Sequence, residues 1–379
     1  MLTAKAGYLA AAVTRVEIYV TNPIKVLIID DSAFIRAVLS DILGRTPGVQ
    51  VVGTAPDPII AMEKIKKLDP DVLTLDVEMP KMDGLTFLRR LMAEDPRPVV
   101  MISSWTAKNS EIALKALELG AIDYVAKPTV GLKEGMAALE REIATKVIHA
   151  ARTRHKIHTL VNTAWPREYR EQTAVTKSLV TETSDKIIAI GASTGGTVAV
   201  TEILRRLPAD LPGVVIVQHM PEFFTASFAK TLDGQSRLRV KEAADGDRIM
   251  TGQALVAPGG RHLKVERQGA MYYARVVLAE PVNLHRPSVD FTFFSLAESA
   301  GQNTMGIILT GMGEDGARGL KALREAGAYT IAQDEKTSVV YGMPKKAAEL
   351  GAAVKICPIN DIPEEIQLWA KRQRKGVSP

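Results

Sequence analysis

Cysteine is nearly absent: Cys357 stands alone in 379 residues. An intrachain disulfide is excluded, and the usage points to a reducing compartment. Long apolar runs are missing too. The run Tyr8–Val13 is cut by Arg15 and Glu17, is too short to span a bilayer, and precedes no clean small-residue cleavage site. Met1–Asn22 therefore reads as a poorly ordered extension. No other segment approaches membrane-spanning length, so the expectation is a cytoplasmic protein without membrane insertion. Charge of one sign is scarce: the net charge is +5. The basic surplus lies in Arg152–Lys177 and Lys371–Lys375, away from every motif below. Solvated segments explain it better than a nucleic-acid footprint. Tandem repeats are absent.

What remains is globular: 46% hydrophobic and 24% charged, with length for two ordinary domains. Short apolar runs fit strands at Ile24–Ile29, Val49–Thr54, Val72–Leu75, Val99–Ile102 and Tyr124–Val125. Helical patterns alternate with them at Ala33–Leu43, Ile59–Leu68, Gly84–Met92 and Ser110–Leu119, and Leu132–His149 follows. The pattern fails over Ala150–Lys186, which reads as a linker. It restarts with strands at Ile187–Gly191, Val214–Gln218, Gln253–Ala257 and Ile307–Thr310. Helices are expected at Val198–Leu207, Phe223–Leu232, Val289–Ser299 and Ala317–Ala326, and a β-hairpin at Leu263–Gln268 with Tyr272–Leu278. Strand alternating with helix implies parallel doubly wound sheets, whose ligands bind beyond the C-terminal strand ends. The expected division is 1–22 extension, 23–149 first domain, 150–185 linker and 186–379 second domain.

In the first half Asp30 and Asp31 end one strand and Asp76 ends another. Three carboxylates in one pocket repel unless a cation joins them. Few side chains and open positions suit Mg²⁺. A carboxylate can also attack a phosphoryl group. Lys127 brings an ammonium to the same rim, and Ser103 a hydroxyl. Isolated acidic loop caps are the plainer reading of any one of these residues. Over Ile24–Val130 the chain resembles the response-regulator receiver domain, on Asp30–Ser32, Leu75–Gly84, Ser103 and Ala126–Pro128. The resemblance implies phosphorylation at Asp76. It implies Mg²⁺ held by Asp31, Asp76 and the Glu78 carbonyl, with Asp30 acting through water. Ser103 and Lys127 would contact the phosphoryl group, and Tyr124 would be the switch aromatic.

In the second half Gly191–Gly195 fits G-x-S-x-G between a strand and a helix, which exposes Ser193 at a tight turn. A Gly-rich phosphate cradle is the other reading, although the dinucleotide fingerprint is not met. His219 ends the next strand, and Asp315 lies in the Gly311–Gly316 loop. Alone, the first reads as structural and the second as a helix cap. Together they supply nucleophile, base and orienting carboxylate on one sheet rim. The order Ser, His, Asp is not that of α/β-hydrolases.

Residues Lys186–Trp369 resemble the catalytic domain of the chemotaxis protein-glutamate methylesterases. The resemblance rests on GASTGG, QHM, Ala257–His262, His285–Asp290, TGMGEDG and the stretch Asp334–Pro344. It implies Ser193 as nucleophile, His219 as base, Asp315 as its orienter and backbone N–H groups near Met312 as oxyanion donors. The implied fold is α/β: a flavodoxin-like receiver domain linked to a Rossmann-like methylesterase domain with an appended hairpin. The implied substrate is a glutamyl methyl ester on chemoreceptors, released as methanol, with deamidation of receptor glutamines. No cofactor is expected for the ester step. A chemotaxis histidine kinase would be the phosphodonor, and association with receptor arrays would be peripheral. A receiver covering the active-site rim would restrain the unphosphorylated enzyme. Two rivals stand beside this: a regulator whose second half only binds a partner, and a hydrolase of small esters. Polar His285, Arg286 and Ser288 suit a helical protein surface better than the small-ester pocket.

Overall fold

The computed structural model describes residues 22–103, 107–127, 136–158 and 184–372. The expected extension at Met1–Asn22 lies outside them but for its last residue. So do Ser104 and Pro128 and most of the expected linker.

The first sheet has five parallel strands: β1 (Ile24–Ile29), β2 (Val49–Ala55), β3 (Val72–Asp76), β4 (Val99–Ser103) and β5 (Asp123–Ala126). Their order is β2-β1-β3-β4-β5. These strands are near-continuous apolar runs because helices cover both faces. The helices are α1 (Ala33–Gly44), α2 (Pro58–Leu68), α3 (Gly84–Glu94), α4 (Ala107–Glu118) and α5 (Met136–Ala151). Ser32, Asp57 and Asp83 cap the first three through their side chains, so each helix starts just past a strand end.

The second sheet has seven parallel strands in the order β14-β13-β12-β6-β7-β9-β8. They are β6 (Ile187–Ala192), β7 (Gly213–Gln218), β8 (Arg239–Glu242), β9 (Gln253–Val256), β12 (Thr304–Ile308), β13 (Tyr329–Gln333) and β14 (Lys355–Cys357). Successive side chains alternate between two cores. Ile188 and Ile190 join a core continuous with that of the first sheet, while Ile187 and Ala189 join the opposite one. Helices α6 (Gly196–Arg205), α7 (Phe224–Gln235), α8 (Val289–Ser299), α9 (Ala317–Glu325), α10 (Met343–Glu349) and α11 (Ile362–Lys371) complete the layers. The hairpin β10 (His262–Gln268) and β11 (Met271–Val277) forms its own two-stranded sheet rather than extending the large one. The strand expected at Ile307–Thr310 runs instead over Thr304–Ile308: its ladder with β6 begins at Thr304 and ends at Ile308, and Leu309 and Thr310 are buried beyond it.

The two halves touch. Tyr124, the second residue of β5, stacks on Phe224 of α7, with centroids 4.6 Å apart and planes 2° from parallel. Ser110 of α4 meets Ser227 of α7 at 2.8 Å. The start of the expected linker is packed against both halves. Arg154 binds Asp69 and Asp71 at 2.6 and 2.8 Å, and Lys156 Nζ donates to the Ser338 carbonyl at 2.5 Å.

Candidate active site and receiver site

In the second sheet the chain steps one way from β6 to β7 and returns on the other side with β12. Such a reversal opens a crevice beyond the strand ends. Ser193 follows β6 directly, and His219 follows β7. His219 N–H donates to the Ala192 carbonyl at 3.1 Å, which sets the two strand ends side by side. Gly195, at φ 78°, makes the sharp turn into α6. Gln218 Nε2 donates to the Ser193 carbonyl at 2.9 Å and pins that turn.

Asp315 is buried and does not cap the helix that follows it, whose N-cap is Gly316. Its carboxylate sits instead at the N-terminus of α8. Val289 N–H donates to Oδ2 at 2.6 Å, Ser288 Oγ to Oδ1 at 2.8 Å and Asn283 Nδ2 to Oδ1 at 2.6 Å. Oδ2 also meets His219 Nε2 at 2.8 Å. A helix N-terminus favours an anion there. Burial works to raise the Asp315 pKa, but the bonds from His219, Asn283 and Ser288 outweigh it and hold the carboxyl well below the usual range. The carboxylate thus fixes one tautomer of His219, with the proton on Nε2. Nδ1 is buried and has no hydrogen-bond partner among the described residues. The structure brings His219 and Asp315 into contact and sets Ser193 on the adjoining strand end, without a Ser193–His219 hydrogen bond.

Three further residues build the site. His285 stacks flat on His219, with centroids 3.7 Å apart and planes 11° from parallel. Burial, and then the neighbouring His219, push its pKa down to about 3. His262 is buried. Its Nε2 donates to the Glu280 carbonyl at 2.9 Å and its Nδ1 accepts from Ser288 N–H at 3.3 Å. Ser288 in turn caps α8 and reaches Asp315. Ser288 therefore does not face a helical partner as expected, since it is 0% exposed. Its hydroxyl is committed to Asp315. Met312 is half-buried in the Gly311–Gly316 loop. The loop abuts the serine, since a Cβ on Gly311 would lie 2.8 Å from Ser193 Cβ.

In the first sheet the order reverses at β1 and β3. Asp30 and Asp31 follow β1, and Asp76 ends β3. Ligand oxygens of all three lie within 4.8 Å of one another. Lys127 Nζ contacts Asp30 Oδ2 at 3.0 Å and Asp76 Oδ2 at 2.7 Å. Burial raises the Asp76 pKa to about 6 against the pull of Lys127. Three carboxylates and one ammonium leave a charge that a divalent cation would balance, and the donors are hard oxygens. The Glu78 side chain is exposed, consistent with a role for its carbonyl alone. Ser103 closes β4, and its side chain lies outside the described ones. Tyr124 is buried against Phe224, and burial pushes its phenol well above the ordinary value. Beside it, Asp123 Oδ2 accepts a hydrogen bond from Thr194 Oγ1, the residue after Ser193. Among the described residues, no helix is long and apolar enough to cross a membrane.

Residues 188–366 match the family model "CheB methylesterase", and 26–140 match "Response regulator receiver domain". The "Protein-glutamate methylesterase/protein-glutamine glutaminase 1" of Geobacter metallireducens is 51% identical over 93% of this chain and 98% of its own. A similarly named protein of Pseudomonas aeruginosa is 52% identical over 93% and 99%. The crystal structure of the Thermotoga maritima CheB methylesterase catalytic domain is similar to 49% of this chain and 99% of its own, at 42% identity and a TM-score of 0.48. With one model matched in each half and relatives about half identical over 93% of the chain, the chain belongs to the CheB methylesterase family, in the form that carries a response-regulator receiver domain.

Proposed function

We propose that the chain is a phosphorylation-controlled protein-glutamate methylesterase and protein-glutamine glutaminase acting on chemoreceptors. The observation that carries this is the Asp315 carboxylate, seated at the N-terminus of α8 and bonded to His219 beside the Ser193 turn. A partner-binding module would leave that arrangement without use.

In this reading Ser193 Oγ attacks the ester carbonyl and passes its proton to His219 Nδ1, the nitrogen facing away from Asp315. Asp315 keeps Nε2–H in place and stabilises the imidazolium. The Met312 N–H, which donates to no described residue, stabilises the developing oxyanion. Methanol departs with the proton from Nδ1. Water then attacks the acyl-serine by the same route and frees the glutamate carboxylate. An amide enters the same cycle and releases ammonia. In this reading the ester step uses the side chains of Ser193, His219 and Asp315 with one backbone N–H, and no cofactor takes part.

Asp76 is the proposed phosphoacceptor. Asp31, Asp76 and the Glu78 carbonyl would hold Mg²⁺, with Asp30 acting through water. When bound, that ion offsets negative charge as the phosphoryl group arrives. Ser103 and Lys127 contact the phosphoryl oxygens, and Tyr124 answers the change. A chemotaxis histidine kinase is the proposed donor, in the cytoplasm, with peripheral attachment to receptor arrays. The proposed division is a receiver at 23–149, a linker at 150–185 and a catalytic domain at 186–379. The Asp123–Thr194 bond and the Tyr124–Phe224 stack support a receiver that restrains the serine turn until phosphorylated. The test is methanol release from methylated receptor membranes, with and without a small phosphodonor. Phosphodonor should raise the wild-type rate and leave Asp76→Asn unchanged. A stimulated Asp76→Asn enzyme would refute the assignment.

A further inference from the structure

Five non-glycine residues among the described ones have left-handed backbone: Asp69, Lys81, Phe223, Asn283 and Leu284. Two are large and apolar. Phe223 has φ 73° and is 60% exposed, and Leu284 has φ 69° and is 92% exposed. Bulky side chains avoid this region, and each costs stability there. Exposed apolar side chains gain nothing from the fold in return.

Both residues lie on loops that adjoin the candidate site residues. Phe223 ends the loop that leaves His219, four residues on. Leu284 precedes His285, which stacks on His219, and follows Asn283, which donates to Asp315. Val282 and His285 exchange hydrogen bonds at 3.1 and 2.9 Å, so Asn283 and Leu284 are the tip of a two-residue turn. Both tip residues are left-handed, a geometry in which glycine normally takes the second place. The two loops share one rim. Between them Gly259 packs on the backbone of Pro221 and Glu222, and Gly260 N–H donates to the Arg286 carbonyl at 3.1 Å. Exposed Arg261 follows on this middle loop.

We infer that Phe223 and Leu284 are two apolar fingers that grip the substrate segment on either side of the reacting side chain, and that they determine specificity for a helical protein over a small ester. The inference rests on the methylesterase reading. On a helix, residues three and four positions from a given side chain flank it at about 5–6 Å. Apolar residues at those positions would meet the fingers while the methyl ester enters the crevice. Arg261 suits the carboxylates that the reaction leaves on the same helix.

Leu284→Asn and Phe223→Asn test this. Asparagine tolerates left-handed backbone, so the turns persist while the apolar contact goes. Each variant should raise the KM for methylated receptor membranes about tenfold, the scale of one buried aliphatic side chain. Specificity for membranes relative to a small glutamyl methyl ester should fall by the same factor, with no fall in Tm. Equal losses on both substrates, or an unchanged membrane KM, would overturn the inference while wild-type methanol release stood. If the wild type itself releases no methanol, the functional reading and the inference fall together.

Discussion

At the residue scale, the site is organised around Asp315. A carboxylate buried this deeply would favour its neutral form, yet Val289 N–H, Ser288, Asn283 and His219 keep it charged. His285 carries a consequence that can be read in solution. Its folded pKa, about 3, lies below the ordinary histidine value. On unfolding below about pH 6.5 the ring takes up a proton that the folded state refuses. Its contribution is therefore complete above about pH 6.5 and is lost as pH falls toward 3, with a slope of up to about 1.4 kcal/mol per pH unit. His285→Phe keeps a flat ring on His219 and cannot be protonated. Urea unfolding between pH 4 and 7 should show a shallower acid loss in this variant. Identical slopes would refute the assignment. Ser193, His219 and Asp315 were legible because each ends a buried strand or sits in a glycine-rich loop. Their supports were not. Ser288 and Asn283 lie 27 and 32 residues before Asp315, and no local pattern links them to it. His262 hides as one more residue at a strand start.

At the element scale, the catalytic crevice depends on how closely α8 approaches β6. A Cβ on Gly191 would lie 2.2 Å from Val289 Cγ1, and one on Gly316 2.5 Å from the same atom. Glycine at both places lets the N-terminus of α8 reach Asp315. Gly191→Ala should push Val289 away, cost about 1–3 kcal/mol of stability as overpacking does, and lower turnover of the folded fraction. Chemical denaturation and active-site titration check the two halves of that expectation. A stable, fully active Gly191→Ala enzyme would contradict it. Most parallel strands were readable because burial on both faces makes them continuous apolar runs. β8 (Arg239–Glu242), β13 (Tyr329–Gln333) and β14 (Lys355–Cys357) were not, since β8 and β14 each bury a single residue and polar Thr330 and Gln333 break the apolar run of β13. The hairpin was readable by its alternation, but its separation from the large sheet was not. That depends on packing against α8 rather than on its own pattern.

At the scale of the whole molecule, the receiver lies against the methylesterase half beside Ser193, the proposed nucleophile. Asp123 joins Thr194 to Lys146, which it meets at 3.2 Å. Asp123→Asn keeps the shape and weakens the tie. The unphosphorylated rate should rise several-fold, within the roughly 5- to 150-fold span of typical couplings. Steady-state methanol release reads it directly, and an unchanged basal rate would show that this contact does not restrain the enzyme.

The central claim is that Ser193 carries the hydrolysis of receptor methyl esters. The most direct measurement is methanol release from methylated receptor membranes by the phosphodonor-treated wild type and by Ser193→Ala at equal folded concentration. The account predicts steady release from the wild type and a loss of several orders of magnitude in the variant, with matching thermal unfolding. Retention of a tenth of the wild-type rate would contradict it.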